Sequence, residues 1–410
     1  MRILHTSDWH IGCTLYGNKR IAEFKSFLYW LSDLIEDQEI DVLLVAGDIF
    51  HTTTPGNKAQ KLYYQFLNRV AASCCRHVVI IGGNHDSPSF LNAPKELLFF
   101  LNVHVIGSAM TDLADEVLVL KDNHGKEELI VSAVPYLRDR DVRSVEPGET
   151  VQDKNTKLIH GISDHYQQVC QIAQEINKKL EKPVPLVALG HLFTAGGKVI
   201  EGDGVRDLYI GSLARISADI FPGFLDYVAL GHLHVPQKVA GSDIIRYSGS
   251  PLPIGFGEAS QEKTVIRVEF FDTKTKVQPI TIPKFNDLKS IKGNLEKIKE
   301  EIATLKQKSS KSWVEVIYTG KDAPGNLRDT VDQAVKGTEI KVLRIKNERI
   351  STMITLKNAD GGVLSAADID EMDEFETFTK CMNANAIPDK QQSELMEIFK
   401  QIVRDMGEES

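Results

Sequence analysis

Cysteine is scarce in this 410-residue chain: five residues, Cys13, Cys74, Cys75, Cys170 and Cys381, odd in number and forming no C-x-x-C pair. That pattern excludes a disulfide framework and a thiolate zinc site, and a reducing cytoplasm is the expected setting. Long apolar runs are also missing, since none approaches the roughly 18 residues of a membrane span. Polar residues from His5 onward predict no signal peptide. The chain has no G-x-x-x-x-G-K-S/T phosphate-binding loop, so any dependence on ATP would have to come from a partner. Internal repeats and low-complexity segments are absent. The net charge of −9 is unevenly spread: from Ser365 onward 12 acids face 4 bases, and the residues before it hold 45 acids and 44 bases. An acidic tail does not seek nucleic acid, while the near-neutral remainder neither demands nor forbids it.

What is present is an ordinary globular composition, 42% hydrophobic and 26% charged. The first 250 or so residues repeat one grammar. RILHTSDWH, DVLLVAGDIFH, HVVIIGGNHD, PLVALGHL and DYVALGHLH each give a short apolar run, then a small residue, then Asp, Asn or His. Apolar throughout, such runs suit strands buried on both faces in a layered α/β fold. Residues 22–37 and 58–72 read as amphipathic covering helices. Ligands in such folds bind beyond the carboxyl ends of the strands, so all five polar clusters are expected on one rim.

The grammar changes near Pro279. Leu288, Ile291, Leu295, Ile298, Ile302 and Leu305 recur three and four apart and predict a helix over 288–305. SWVEVIYTG, NLRDTVDQAVKG and EIKVLRIKN then read strand, helix, strand, a small α+β module. Past about residue 348 the chain turns polar and is expected to close with two helices, one capped by Ser365 and one after Pro388. The second carries Leu395, Ile398, Phe399 and Ile402 on one face, an apolar stripe that needs a docking surface.

The rim residues are Asp8, His10, Asp48, Asn84, His85, His191, His232 and His234. Singly, each has a plainer reading, Asp48 as a helix cap and Asn84 as a turn residue. Together, the seven other than His85 form a nitrogen and oxygen donor set suited to two divalent ions such as manganese, iron or zinc. Two such ions need a bridging carboxylate, for which Asp48 is the candidate, and they do phosphoester chemistry. Gly47, Gly83, Gly190 and Gly231 directly precede ligands, where a turn must be sharp and a Cβ would clash.

In order, the clusters D-x-H, G-D-x-x-H, G-N-H-D, G-H and G-H-x-H resemble the calcineurin-type metallophosphoesterase signature. The wording around them, RILHTSDWHIG, VAGDIF, GNHDSPSFLNAPKELLFFLN, VRDLYIGSL and IRYSGSPLPIGF, is similar to the SbcD family, the nuclease subunits of bacterial SbcCD complexes. The match covers nearly the whole chain and is densest before residue 260. It implies a layered β-sandwich metallophosphoesterase core flanked by helices over 1–278, a small α+β DNA-capping domain over 279–347, and a helical tail over 348–410 that grips the SbcC ATPase. It implies two metal ions, manganese foremost, one held by Asp8, His10, Asp48 and His234 and the other by Asp48, Asn84, His191 and His232. His85 would be the catalytic residue beside the scissile phosphate. His51, where relatives vary, is expected to support the ligands or contact DNA phosphate. DNA ends and hairpins are the implied substrates, a homodimer and a heterotetramer of two SbcD with two SbcC the implied assemblies, and the nucleoid the implied location. A phosphatase or small-molecule phosphodiesterase on the same fold is the alternative, weakened because protein phosphatases continue the second motif as G-D-x-x-D-R-G and carry Glu after G-N-H. A metal-free scaffold would lack ligands, and none is missing here.

Overall fold

The computed structural model describes residues 1–143, 148–194, 216–271, 274–320 and 327–347, with Phe378, Thr379, Met382, Gln392, Leu395, Met396 and Phe399 of the tail. The chain divides into two compact units, Met1–Lys289 and Ser290–Ser410. The first unit opens with β1 (Arg2–Thr6), the short hairpin β2 (Thr14–Leu15) and β3 (Asn18–Lys19), α1 (Ile21–Asp37), β4 (Val42–Ala46), α2 (Asn57–Ala71) and β5 (His77–Ile81). Short helices α3 (Pro88–Asn92) and α4 (Lys95–Phe99) lead to β6 (Val103–Ile106), β7 (Val117–Lys121) and β8 (Glu127–Ala133). Then come α5 (Asp139–Val142), α6 (Val151–Lys179), β9 (Leu186–His191), β10 (Tyr227–Gly231), β11 (Gln237–Lys238), β12 (Ile245–Tyr247), β13 (Thr264–Phe271) and β14 (Lys274–Thr281).

These strands form two six-stranded sheets, ordered β14-β13-β1-β4-β5-β6 and β11-β12-β10-β9-β8-β7. Within them β1, β4, β5 and β6 run parallel, as do β8, β9, β10 and β12. The expected covering helices are present as α1 and α2. Because strand side chains alternate faces, Leu4, Leu43, Val45, Val78 and Ile80 turn toward Phe24, Phe27, Leu31, Leu62, Phe66 and their neighbours on those helices. Their sequence neighbours Ile3, Val42, Leu44, Val79 and Ile81 meet Leu129, Val131, Val187, Leu189, Tyr227 and Ala229 of the other sheet. The second sheet turns Ala188, Val228 and Leu230 toward Tyr166, Val169 and Ala173 on α6. Both faces of the central strands are therefore buried, which is why they read as continuous apolar runs.

The first unit extends past the boundary expected at residue 278, which falls inside β14. Thr264–Phe271 pairs antiparallel with Lys274–Thr281, and Pro279 lies opposite Ile266. A proline there is tolerated because β14 is the edge strand and needs no donor on its outer side. In the second unit the helix predicted over 288–305 is two elements, a strand β15 (Leu288–Gly293) and a helix α7 (Leu295–Gln307). Asn294 separates them: its side chain accepts from the Lys297 backbone N–H and caps the helix. Leu288 and Ile291 are thus buried from a strand, on its opposite faces. With β16 (Trp313–Tyr318), α8 (Leu327–Val335) and β17 (Lys341–Asn347), β15 forms a three-stranded sheet ordered β15-β16-β17. Ile291, Ile298, Ile302, Val314, Val316 and Val331 make its core.

Of the tail, Phe378, Thr379, Met382, Gln392, Leu395, Met396 and Phe399 are helical. Leu395 is half-buried, and the Phe399 ring stacks on Phe378 with centroids 4.1 Å apart, so this part of the expected docking stripe already has an intrachain neighbour. Ile398, Ile402 and the expected cap Ser365 lie outside the described residues.

Candidate metal centre

Five loops leave the carboxyl ends of parallel strands β1, β4, β5, β9 and β10 and bring all eight predicted rim residues together. The rim belongs to two facing sheets, with Asp8, His10, Asp48, Asn84 and His85 from one and His191, His232 and His234 from the other. The backbone is unusual at four of the candidate ligand positions: Asp8, His10, Asp48 and His232 have φ of 52°, 47°, 52° and 101°. Non-glycine residues avoid this region unless surrounding structure holds them there. Here Asp8 N–H donates to the Gly47 carbonyl at 3.0 Å and His10 N–H to the Asp48 carbonyl at 2.9 Å. Gly47 itself has φ 84°, as a sharp turn requires. Gly83 serves closeness instead, since a Cβ there would stand on the Asp48 carboxylate and backbone nitrogen.

Two groups of donor atoms result. His10 Nε2 and His234 Nε2 approach to 3.1 Å, and with Asp8 they offer three ligand atoms within 4.8 Å of one another. On the other side, Asn84 Oδ1 lies 3.0 Å from His191 Nε2 and 3.1 Å from His232 Nδ1. Asp48 stands between, its Oδ2 3.6 Å from His10 Nε2 and 3.4 Å from His191 Nε2. Asp8 also reaches the second side, where Asp8, Asp48 and His191 form another close group of ligand atoms. The backbone N–H of His232 donates to Asp8 Oδ1 at 2.9 Å. His191 Nδ1–H donates to the Ala46 carbonyl at 2.9 Å, which fixes the ring and leaves Nε2 toward Asp48 and Asn84. Two imidazole nitrogens aimed at each other, flanked by carboxylates and an amide oxygen, are the donor set that divalent ions need.

The electrostatics follow from burial. Burial pushes the Asp8 carboxyl up and His10 well down from their ordinary ranges, and it takes His232 to about 3, His191 adding to the shift. Burial also opposes charge on Asp48, but His191, then His10 and His85, outweigh it and hold the carboxylate well below its usual range. His191 is the counterpart: burial disfavours its charged form, yet Asp48 and Asp8 raise it to about 9. The mutual pull of this pair shows how strongly the fold favours positive charge beside Asp48.

His85 is set slightly apart. Its backbone N–H donates to Asp48 Oδ1 at 2.9 Å and its ring Nδ1–H to the His51 carbonyl at 3.0 Å, leaving Nε2 for other chemistry. The His51 ring stacks on it at 5.6 Å and 15°, and His10, His51 and His85 together form a further group of three nitrogen donors. His51 is thus beside the catalytic candidate as well as beside His10.

The sequence reading passed over several residues that hold these loops. Asp86, the last letter of G-N-H-D, accepts the backbone N–H groups of Gly83, Ile49 and Phe50 at 2.9, 3.1 and 3.0 Å and so ties the β4 loop to the β5 loop. Burial and then the charge on Asp48 push its carboxyl up to about 6. Behind His234, fully buried Glu258 places Oε1 3.8 Å from His234 Nδ1. Buried Lys263 donates to Glu258 and, at 3.0 Å, to the His234 carbonyl. An isolated acid and lysine in GFGEASQEK carry no pattern of their own. A buried lysine and glutamate five apart show their pairing only in three dimensions.

Comparison with known proteins agrees with this geometry. Residues 1–236 match the family model described as calcineurin-like phosphoesterase, and residues 284–386 match one described as type 5 capsule protein repressor C-terminal domain. The chain is 32% identical over 402 residues to the SbcD subunit of nuclease SbcCD from Escherichia coli strain K12, with 97% of each chain covered. It is 37% identical over 276 residues to the SbcD protein of Rhodobacter capsulatus, covering 65% of each. The SbcD protein of Bacillus subtilis is 34% identical over 271 residues, covering 66% of each.

Proposed function

This chain belongs to the calcineurin-like phosphoesterases and, within them, to the SbcD family of SbcCD nuclease subunits, and on that premise we propose that it is a metal-dependent DNA nuclease acting with an SbcC-type ATPase in DNA repair. The observation that carries the reading is the convergence of eight polar side chains, from segments as far apart as Asp8 and His234, at the carboxyl ends of five parallel strands. With two divalent ions bound there, a phosphate is polarised and a water ionised for attack on phosphorus. Asp8, His10, Asp48 and His234 would hold one ion and Asp48, Asn84, His191 and His232 the other, with Asp48 as the bridge. Its position between His10 and His191 supports that role. His85, braced through Nδ1, would present Nε2 to the leaving oxygen as a proton donor or to the phosphate as a stabilising group. His51 braces His85 through its carbonyl and contacts substrate phosphate. Manganese is the proposed metal, since the donors are imidazole, carboxylate and amide with no thiolate.

The assembly is read from surfaces. Leu97, Phe99, Phe100 and Leu101 are 74%, 60%, 84% and 42% exposed within a single short segment. A patch of that kind is a binding surface, and a second copy of this chain is its proposed occupant. The module over 279–347 is proposed as the DNA-capping domain and the acidic tail over 348–410 as the SbcC grip, giving two of each subunit on DNA ends and hairpins at the nucleoid. The deciding experiment uses the purified full chain with manganese on linear duplex and hairpin DNA, with and without SbcC and ATP, beside Asp48→Asn. Cutting by the wild type, and loss of both cutting and two-ion binding in the variant, are expected. Hydrolysis of phosphoprotein or small phosphomonoesters in place of DNA would favour the phosphatase alternative.

A further inference from the structure

Next to the metal centre the first unit opens into a cavity of about 530 Å³, with Asn84, His191 and His232 on its floor. Two aromatic rings flank that floor. Tyr136 stands 6.2 Å from the His191 ring at 80°, and Phe193 stands 6.5 Å from the His232 ring at 73°. The far wall is the apolar face of α6, where Leu158 and Ile162 line the space. Arg138 and Lys154 also line it, and neither has an ion-pair partner among the described residues. Arg143 beside them is committed to Asp139 and Glu149 and contributes little free charge.

Phosphate chemistry needs only the floor of this cavity. A hydrolase for phosphate esters in general has no use for aromatic edges, an aliphatic wall and two further cations around it. These match a molecule with a flat apolar body joined to more than one phosphate, which is a nucleotide within a strand. Pockets of roughly 300–1,000 Å³ enclose a single small ligand. The cavity therefore has room for one nucleoside and not for a base pair with its neighbours. Resting on the nuclease reading above, we propose that it is a subsite for one unstacked nucleoside adjoining the scissile phosphate. The enzyme then cuts where a base has been drawn out of, or has frayed from, its stack. Aromatic and aliphatic contacts hold the base whatever its identity, and Arg138 and Lys154 hold the flanking phosphate.

The test uses single-stranded oligonucleotides in which one abasic residue is placed at each of the three terminal positions in turn, with manganese and the full chain. At one position the abasic residue is expected to lower kcat/KM at least tenfold for the wild type. That penalty should shrink at least fivefold in Phe193→Ala and in Leu158→Trp, which fills the wall, with thermal unfolding confirming that both variants fold. An abasic penalty of the same size in wild type and both variants would overturn the subsite while leaving the nuclease reading intact. A second arm needs no metal and no turnover: binding of thymidine monophosphate and of inorganic phosphate to EDTA-treated protein. The nucleotide is expected to bind at least tenfold more tightly, weakened in both variants. Equal binding of the two would mean that the cavity reads phosphate alone, and would overturn the proposal. If the wild type cut no DNA at all, the nuclease reading would fall and this second arm would still decide whether a nucleoside is recognised.

Discussion

Replacing Lys263 with Met removes a cation from a place where little else can neutralise its neighbour. Lys263 is 5% exposed and its Nζ, with three N–H donors, is surrounded by four acceptors: Glu258, the His234 carbonyl at 3.0 Å, Ser250 Oγ at 3.1 Å and Gln261 Oε1 at 3.2 Å. Glu258 is fully buried. Methionine fills the same volume, so the loss is electrostatic: a carboxylate left in the interior with one charged partner gone, which costs about 3–5 kcal/mol. Removing both charges, as Glu258→Leu with Lys263→Met, should cost no more than about 1–2 kcal/mol, because no unpaired ion then remains. The interaction energy from the cycle is expected to be at least about 2 kcal/mol.

The sign with pH is fixed by the same contacts. Burial pushes the Glu258 carboxyl up, but His234 and Lys263 outweigh it and hold it below the usual glutamate range. Its contribution to stability is therefore full above the unfolded glutamate pKa and is lost as pH falls below it. In Lys263→Met that acid-side loss should shrink. Urea unfolding of EDTA-treated protein followed by tryptophan fluorescence reads this directly. In a Trp313→Phe background the signal comes from Trp9 and Trp30, both in the first unit. The double variant should also bind manganese about 10- to 100-fold more weakly, since His234 loses the carboxylate behind its ring. A single-variant cost under about 1 kcal/mol, or a double variant no better than the single, would refute the reasoning.

Three further outcomes are expected. His85→Ala should keep its metal content by elemental analysis while turnover falls by about 10² to 10⁴, and loss of metal in step with activity would make His85 a ligand instead. Leu97→Asp with Phe100→Asp should convert the proposed dimer to a monomer in light scattering, because unpaired carboxylates in an apolar interface oppose association by several kcal/mol, and an unchanged mass would move the interface elsewhere. His5 is buried beside the Tyr227 hydroxyl at 2.9 Å and burial lowers its pKa to about 3. It must stay neutral in the fold and charges when unfolded, so it erodes stability as pH falls from its ordinary value near 6.5. His5→Phe should flatten the slope of stability against pH in that window by up to about 1.4 kcal/mol per unit, and an unchanged slope would show that other histidines set it.

What could be read from the sequence follows the range over which each pattern acts. The candidate ligand residues close an apolar strand or sit up to four positions past one, so DWH, GDIFH, GNHD and GHLH announce both the strand and the rim. The pairing of β9 and β10 with a second sheet is a long-range choice, and nothing within HVVIIGGNHD separates one sheet from two. The helix expected from residue 288 failed for a local reason: Leu288 and Ile291, three apart, fit a helical spacing, but they belong to a strand in which both are buried on opposite faces, and the boundary rests on one side chain, Asn294. Helix α6 was not foreseen, although T-V-Q-D at 150–153 is a capping box and Ile162, Tyr166, Val169 and Ala173 mark its buried face. Its first two turns are polar, which hides the stripe that follows.

The strained backbone explains why so many parts of the molecule are needed for a site of eight side chains. Left-handed φ at Asp8, His10, Asp48 and His232 costs on the order of 1–3 kcal/mol at each. A small domain with a net stability of about 5–15 kcal/mol could not carry that load on loops alone. Each strained residue lies one to four positions past a strand buried on both faces, and Asp8 and His10 are pinned by backbone bonds from their own N–H groups to the Gly47 and Asp48 carbonyls. Asp86 and the Glu258–Lys263 pair clamp the same loops from behind. The carboxylates and imidazoles are thus held close together by the fold, against their mutual desolvation and repulsion. Binding of the two proposed cations would then relieve electrostatic strain that folding has already imposed, with little ordering left to be done when they arrive.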